Sequence, residues 1–344
     1  MNALLRDPRG SGIGSIQRDL SRSARTYRGY HFRVLVIVSV ALLICLAAQA
    51  EFITTIEPDG TLSIQRGCSP GAVVIPDTID GRKVTGIWGS AFSGCTNLTS
   101  ITIPNSVTGI LRGTFFRCPG LTNITILGSV TIIDDWAFMD CSGLTDITIP
   151  DSVTFIGEYA FFGCTNLTSI TIPDSVTTIK GGAFRSCTGL TNVTIGRGLG
   201  ILHTDAFKGC ASLTNAHFRG EPPLMLDWNG RPTSRSAFPA FTTIHYMPGS
   251  RGWDKTFCGN PTVHWFRPAP TILDFDDRFG PSTNGFSFVI SWATNATVVV
   301  EGSEVIRGQG WRPISTNTLT DGWVQYNDAE WKSQPSRFYR VRGQ

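Results

Sequence analysis

The chain has 344 residues, of which 41% are hydrophobic and only 16% are charged, and its formal net charge is +3 at pH 7. This hydrophobic content excludes a chain that is disordered throughout. Seven of the 29 basic and two of the 26 acidic side chains lie in residues 1–50, which leaves 22 basic and 24 acidic side chains in residues 51–344. The composition of the larger part therefore gives no sign of the basic patch that a nucleic-acid partner would need.

Residues 1–50 have the features of a secretory signal peptide. Arg28 and Arg33 precede an apolar run over residues 34–46, and Ala48-Gln49-Ala50 matches the small-x-small cleavage pattern. The run is shorter than the roughly 20 apolar residues of a membrane-spanning helix. We expect a cleaved signal peptide and a secreted or cell-surface bacterial protein. Because a long segment precedes the run, the alternative is an uncleaved signal anchor, with residues 34–50 attaching the protein to a membrane.

A 23-residue repeat fills the middle of the chain. Its Cys column consists of Cys95, Cys118, Cys141, Cys164, Cys187 and Cys210. Its Phe column consists of Phe92, Phe115, Phe138, Phe161, Phe184 and Phe207. Leu, Ile and Val columns keep the same register from Leu98 onward. A fixed period of this length with L-x-x-L-x-L spacing predicts a leucine-rich solenoid.

Each repeat is predicted to form one coil that begins with a short strand. In Leu98–Ile103, Ile101 and Ile103 point inward and Thr102 points outward, because side chains alternate along a strand. One such strand cannot bury its apolar face alone, so coils must stack with their strands paired about 4.8 Å apart. The proline after the strand, as at Pro104, cannot donate to the ladder and ends it.

The repeat resembles the BspA-type leucine-rich repeats of bacterial surface and secreted proteins. The unit I-T-I-P-D-S-V-T-x-I-G-x-x-A-F-x-x-C-T-x-L-T-x is clearest at Ile147–Ser169, and the match runs from about Val73 to Phe218. The resemblance implies a β-rich solenoid without regular convex helices, and a role in interaction or adhesion. It identifies no ligand.

The predicted fold class is mainly β: a leucine-rich-repeat β-solenoid followed by a small C-terminal β-sandwich-like module. Five residues inserted between Pro76 and Val84 predict a hairpin-like excursion in the N-terminal cap. After residue 270 the period is gone, and short strand signals alternate with turns. The predicted divisions are an N-terminal cap at 51–90, repeats at 91–218, a degenerate repeat and cap at 219–266, a linker at 267–270 and the module at 271–344.

The Cys column is interpreted as a row of small buried residues. Equivalent side chains on stacked coils point the same way about 4.8 Å apart, whereas the Cβ atoms of a disulfide converge to about 3.8 Å. We therefore expect at least six free thiols once the chain is unfolded. Cys68 and Cys258 lie in the caps and could pair elsewhere.

No motif for catalysis, a metal or a cofactor is visible. The histidines share no spacing that suggests a site, and His217, on the outward Thr column of the last repeat, is interpreted as a surface residue. The cysteines lack the C-x-x-C spacing of a zinc site. We expect no enzyme, no catalytic residue, no metal and no cofactor.

The outward strand positions are the candidate binding residues, because they form a small, polar and nearly uncharged concave sheet. They are Ser100, Thr102, Asn123, Thr125, Asp146, Thr148, Ser169, Thr171, Asn192 and Thr194. Such a surface suits hydrogen bonding to a protein or a glycan. The expected function is protein or glycan binding, or adhesion, through this face. The alternative is a structural spacer that displays the C-terminal module, with no ligand on the solenoid.

Overall fold

A computed structural model describes residues 52–265, 269–273, 278–282, 285–304, 310–333 and 338–344. The predicted signal peptide or anchor lies outside these residues. Within them, no helix is long and apolar enough to cross a membrane. The described part is built from strands, short turns and one 3₁₀ turn, which confirms the mainly β fold class.

The N-terminal cap contains the predicted hairpin. The first five strands are β1 (Ile53–Ile56), β2 (Leu62–Arg66), β3 (Gly71–Val74), β4 (Thr78–Ile79) and β5 (Arg82–Ile87). Strands β4 and β5 pair antiparallel around Asp80 and Gly81, whose φ angles are 50° and 74°. Positive φ at both central residues is the requirement of a tight two-residue hairpin turn. A four-stranded sheet in the order β1-β2-β5-β4 covers the first coil.

The repeats coil through two rows of parallel strands. The strands are β6 (Leu98–Ile103), β7 (Gly109–Ile110), β8 (Asn123–Ile126), β9 (Ile132–Ile133), β10 (Phe155–Ile156), β11 (Ser169–Ile172), β12 (Thr178–Ile179), β13 (Asn192–Ile195), β14 (Ile201–His203), β15 (Asn215–Phe218), β16 (Leu224–Leu226), β17 (Thr243–Tyr246), β18 (Thr256–Phe257) and β19 (Asn260–His264). The second strands of the coils form one unbroken sheet in the order β16-β14-β12-β10-β9-β7. The first strands form two parallel sheets, β3-β6-β8 and β11-β13-β15-β17-β19, and β18 pairs antiparallel with β19 at the end of the second sheet.

The first-strand row is interrupted because residues 146–149 form no strand, contrary to the repeat-based prediction. Ile147 and Ile149 are nevertheless buried, so this coil stays in the stack. The preceding coil has Leu127-Gly128 where other coils have Pro104-Asn105, Pro150-Asp151 and Pro173-Asp174, and Gly128 has a φ of 63°. There Ile126 is only half-buried, although its equivalents in neighbouring coils are buried. The end of β8 is therefore less buried than the same position in neighbouring coils, and the next coil does not pair with β8.

A stack of phenylalanine rings runs through the core. Successive ring centroids are 5.3, 5.2, 5.1, 5.0, 5.0 and 4.9 Å apart along Phe92, Phe115, Phe138, Phe161, Phe184, Phe207 and Phe238. Six of these positions follow the 23-residue period. Phe238 follows Phe207 by 31 residues, and it still occupies the same column because the extra residues form an excursion outside the stack.

The cysteine column is a ladder of thiol hydrogen bonds. Each free thiol donates to the carbonyl oxygen of the Phe that lies 26 residues earlier, on the preceding coil. The Sγ–O distances are 3.0 Å for Cys118, 3.0 Å for Cys141, 3.3 Å for Cys164, 3.0 Å for Cys187 and 3.1 Å for Cys210. All five side chains are buried, and burial raises the pKa of the Cys164 and Cys187 thiols above the ordinary value. These two thiols are therefore protonated at neutral pH.

The first cysteine of the column departs from the interpretation that all are free. Cys95 forms a disulfide with Cys68, and their Cα atoms are 5.3 Å apart. Spacing arguments excluded pairing between column neighbours, but Cys68 approaches Cys95 from the cap rather than from the column. Cys258 is free and half-buried.

The C-terminal module consists of antiparallel strands in two sheets. They are β20 (Thr271–Leu273), β21 (Gly280–Ser282), β22 (Gly285–Ser291), β23 (Ala296–Ser303), β24 (Arg312–Leu319), β25 (Trp323–Asp328) and β26 (Phe338–Gly343), with a 3₁₀ turn at Trp331–Ser333. One sheet contains β20, β22, β21 and β25, and the other has the order β24-β23-β26. Phe288 and Ile290 of the first sheet share a core with Val298, Val300 and Leu319 of the second.

The module packs on the C-terminal end of the solenoid. Met247, from the last coils, is buried against Leu273 and Val289 of the module, and Trp265 packs on the same cluster. The Arg278 guanidinium donates a hydrogen bond to the carbonyl of Gly249. The module is thus held by both apolar and polar contacts.

Removal of one ring from the phenylalanine stack tests how much the column stabilises the fold. We expect Phe184→Ala to lower the free energy of unfolding by about 3–5 kcal/mol, since it leaves a cavity between two rings. Phe241→Ala is the matched control, because this side chain is 56% exposed, and a change within about 0.5 kcal/mol is expected. Urea denaturation followed by circular dichroism measures both. Equal midpoints for the two variants would contradict the role of the stack.

Differential alkylation with peptide mapping tests the cysteine assignments. In the folded chain we expect rapid labelling of Cys258 alone among the described cysteines. The five hydrogen-bonded thiols are labelled only after denaturation, and Cys68 and Cys95 only after reduction. Labelling of Cys95 before reduction would show that the cap disulfide is absent.

Candidate binding surface

The ten predicted binding residues lie on one side of the solenoid. We call this side the first-strand face, defined as the outward side chains of β6, β8, β11, β13, β15 and β17 together with residues 146 and 148. Of the ten, the exposed ones are Asn123, Thr125, Asp146, Thr148, Ser169, Thr171 and Asn192, and the half-buried ones are Ser100, Thr102 and Thr194.

Strand pairing places eight of these residues in register. Ser100 pairs with Asn123, and Thr102 with Thr125, across β6 and β8. Ser169 pairs with Asn192, and Thr171 with Thr194, across β11 and β13. The remaining two, Asp146 and Thr148, lie on the unpaired coil between these two groups. The face is therefore one row of polar side chains with an interruption near its middle.

The face extends beyond the residues found by the repeat pattern. Asn192 pairs with Asn215, which pairs with Thr243, and Thr194 pairs with His217, which pairs with His245. The pattern missed Thr243 and His245 because the excursion after β15 lengthens the period to 28 residues. Ile244, the apolar residue between them, is buried like the inward residues of the other first strands. It was the one sequence signal that could have placed Thr243 and His245 on this face.

His217 is not the surface residue that we expected from the sequence. It is half-buried, because its ring stacks on His245 with centroids 4.6 Å apart and packs on Trp265 at 4.7 Å. The Nε2 atom of His245 lies 2.8 Å from Oδ1 of Asn215. Burial lowers the pKa of both histidines below 6.5, and the neighbouring His245 lowers the pKa of His217 further. The C-terminal end of the face is therefore an uncharged aromatic patch near neutral pH.

A cleft of about 660 Å³ opens where the strand pairing is interrupted. It lies between residues 146–151 on one coil and 169–175 on the next, with Arg219 at its end. The Asp174 carboxylate forms ion pairs with the Arg197 and Arg219 guanidinium groups, each with an N–O distance of 3.2 Å. The negative charge of Asp174 is therefore neutralised. No group of three or more metal-ligating side chains occurs among the described residues. The cleft therefore offers hydroxyl and carboxylate groups for hydrogen bonding.

Comparison with known proteins places the repeats in a family. The model of the BspA type leucine rich repeat region matches residues 68–161 in six copies. The leucine rich repeat protein of T. pallidum is 32% identical over 52% of this chain and 84% of that chain, with a TM-score of 0.49. A leucine-rich repeat protein from Bacteroides ovatus is 28% identical over 57% of this chain and 54% of that chain, with a TM-score of 0.45.

A third similar structure is a leucine rich cell surface protein from Faecalibacterium prausnitzii, which is 20% identical over 63% of this chain and 94% of that chain, with a TM-score of 0.25. The comparison with curated protein sequences returned no match. Since all three TM-scores are below 0.5, family membership rests on the repeat sequence and on the identity with the T. pallidum protein.

The stacked histidines predict a pH dependence of stability. The unfolded chain binds a proton at each histidine near pH 6.5, whereas the folded chain does so only at lower pH. Acidification from pH 7.5 to 5.5 should therefore lower the free energy of unfolding, with the loss beginning near pH 6.5. Urea midpoints at both pH values measure it. In His217→Asn/His245→Asn the difference should shrink, and an undiminished difference would contradict the assignment.

Proposed function

Because the chain belongs to the BspA-type leucine-rich repeat family, we propose that it is a secreted or surface-displayed bacterial protein that binds a macromolecular partner through its first-strand face. The signal-peptide features of residues 1–50 support export. The F. prausnitzii relative is described as a cell surface protein, and the proposed location agrees with that. The role is one of recognition rather than catalysis.

The observation that carries this proposal is whether each threonine hydroxyl is hydrogen-bonded within the protein. On the edges of the coils they are used internally: the hydroxyl of Thr122 donates to the carbonyl of Thr99, and that of Thr191 to Thr168, each at 3.0 Å. Another edge column does the same, with Thr154 donating to Thr131 at 3.3 Å. These threonines stabilise the stack of coils.

The hydroxyls of the first-strand face are free by contrast. Thr125, Thr148 and Thr171 are exposed, and their side chains have no hydrogen-bond partner within the described residues. Each can therefore donate and accept a hydrogen bond to a ligand. Their spacing follows the strands, so a partner with regularly spaced polar groups can contact several coils at once.

The shortage of charge on this face limits the kind of partner. Asp146 is the one charged residue among the ten predicted positions. Long-range electrostatic steering therefore contributes little, and affinity must come from hydrogen bonds and surface fit. A protein or glycan surface rich in polar, uncharged groups satisfies this requirement.

A structural spacer is the second candidate function. It is favoured by the contacts of Met247 with Leu273 and Val289, which hold the C-terminal module on the solenoid end. In that case the module carries the activity, and the solenoid sets its distance from the surface. The two functions differ in whether changes on the first-strand face affect binding.

A triple substitution on the first-strand face tests the proposal. Thr125→Lys, Thr148→Lys and Thr171→Lys together should weaken partner capture at least tenfold, because three long cationic side chains cover the free hydroxyls. The bait is the purified chain, offered extracellular and cell-surface proteins and glycans, with bound material identified by mass spectrometry.

The matched control carries Ile132→Lys, Phe155→Lys and Thr178→Lys. It adds the same charge to the same three coils, at outward positions of the second strands whose side chains have no hydrogen bond among the described residues. Circular dichroism verifies that both variants are folded. Equal capture by the first triple variant and the unmodified chain would exclude the first-strand face as the site.

A further inference from the structure

A second surface of the solenoid is a groove lined by aromatic side chains. It has a volume of about 570 Å³, within the range of about 300–1,000 Å³ typical of ligand sites. Its residues lie on the loops that follow the second strands, so the groove is separate from the first-strand face. Its main lining residues are Phe116, Trp136, Met139, Tyr159, Phe162 and Arg185.

Two of these aromatic residues occupy a backbone position that normally excludes them. Trp136 and Tyr159 have φ angles of 60° and 50°, in the left-handed region. The equivalent residues of the other coils also have positive φ: Ser90 at 63°, Gly113 at 63°, Gly182 at 64° and Asp205 at 63°. Those are small or short polar residues, which tolerate this conformation, whereas a bulky side chain there is strained by on the order of 1 kcal/mol.

Burial does not explain the two aromatic residues. The Trp136 side chain remains 38% exposed, so the strain is not offset by complete removal of the ring from water. Strained residues with exposed aromatic surface are typical of ligand-binding sites. The fold itself would be satisfied by glycine, as Gly113 and Gly182 demonstrate on the adjacent coils.

Two glycines make room for a flat aromatic platform. A Cβ atom on Gly182 would lie 2.5 Å from Cε1 of Tyr159, and one on Gly181 would lie 2.5 Å from Cζ3 of Trp228. Both rings therefore lie directly against the backbone of that coil. They stack with centroids 5.7 Å apart and an interplanar angle of 24°. Phe162 meets the Tyr159 ring edge-on at 5.7 Å and forms a wall.

Acidic and basic side chains beside the groove form ion pairs. Arg117 pairs with Asp140 at 3.6 Å, and Asp205 is shared by Arg185 at 3.7 Å and Lys208 at 3.3 Å. The Arg112 guanidinium lies 4.0 Å from the centre of the Trp136 ring, in a cation–π contact. Both carboxylates are engaged by cations, so a cationic ligand finds no free carboxylate in these pairs. The rim still presents N–H donors and carboxylate acceptors to a neutral polar ligand.

We propose that this groove binds a neutral oligosaccharide. A sugar ring presents C–H groups on its face and hydroxyls on its edge, which matches aromatic faces bordered by paired Arg and Asp side chains. Because the carboxylates of Asp140 and Asp205 are already paired, a basic peptide gains no ion pair from them. The site acts independently of the first-strand face, so failure of one assignment leaves the other standing.

The test introduces glycine at positions 136 and 159, because glycine occupies the equivalent positions 113 and 182 of the adjacent coils. Trp136→Gly together with Tyr159→Gly removes the two strained aromatic side chains that line the groove, including the Tyr159 ring of the platform. Because the strained backbone is relieved, the urea midpoint should stay equal or rise. The probes are neutral oligomers of glucose, xylose, mannose, galactose and N-acetylglucosamine, compared with oligogalacturonate and a proline-rich peptide. Glycan arrays and isothermal calorimetry on the full chain measure binding.

At least one neutral oligomer should bind, and the double glycine variant should weaken its binding at least tenfold. The Thr125→Lys, Thr148→Lys, Thr171→Lys variant should bind it as the unmodified chain does. Retention of binding by the glycine variant, preference for the acidic oligomer or the peptide, or no neutral binding below about 10 mM would each overturn the proposal. A large loss of stability in the glycine variant would show that the aromatic residues are structural.

Discussion

The stack of phenylalanine rings is the constraint on which the rest of the solenoid depends. Rings about 5 Å apart match the spacing of paired strands, so one side chain per coil keeps the coils stacked even where the first-strand row is interrupted. The cysteine thiols add a hydrogen bond from each coil to the Phe carbonyl of the coil before it. Because packing and hydrogen bonding share one period, the outward side chains are free to vary.

The contrast between periodic inward residues and variable outward residues explains how the two surfaces arise. The first-strand face repeats small hydroxyl and amide side chains, whereas the loops after the second strands carry different residues on different coils. Trp136 and Tyr159 are tolerated there because the backbone position is fixed by the core and accepts strain. Ring contacts at the C-terminal end, such as His217 with His245, show that the first-strand face also changes character along its length.

The sequence predicted the features that repeat every 23 residues. It did not predict the features that arise from contacts between coils of different sequence or length. The inward columns, the cap hairpin and the placement of the outward threonines follow from spacing alone. The missing strand at 146–149 follows the coil that has Leu127-Gly128 at the end of its first strand, where the repeat departs from its own pattern. Phe238 was missed because it is displaced in sequence but not in space. The Cys68–Cys95 disulfide joins the cap to the repeats, and a repeat pattern contains no information about that contact.

The central claim is that free hydroxyls on the first-strand face contact a partner, and site-specific photo-crosslinking tests it most directly. A photoreactive residue is placed either at Thr171, on the face, or at Thr177, which directly precedes the second strand of the same coil. The account predicts that the captured partner is crosslinked from position 171 and not from position 177. Crosslinking from position 177 alone, or from neither position while the partner remains bound, would contradict it.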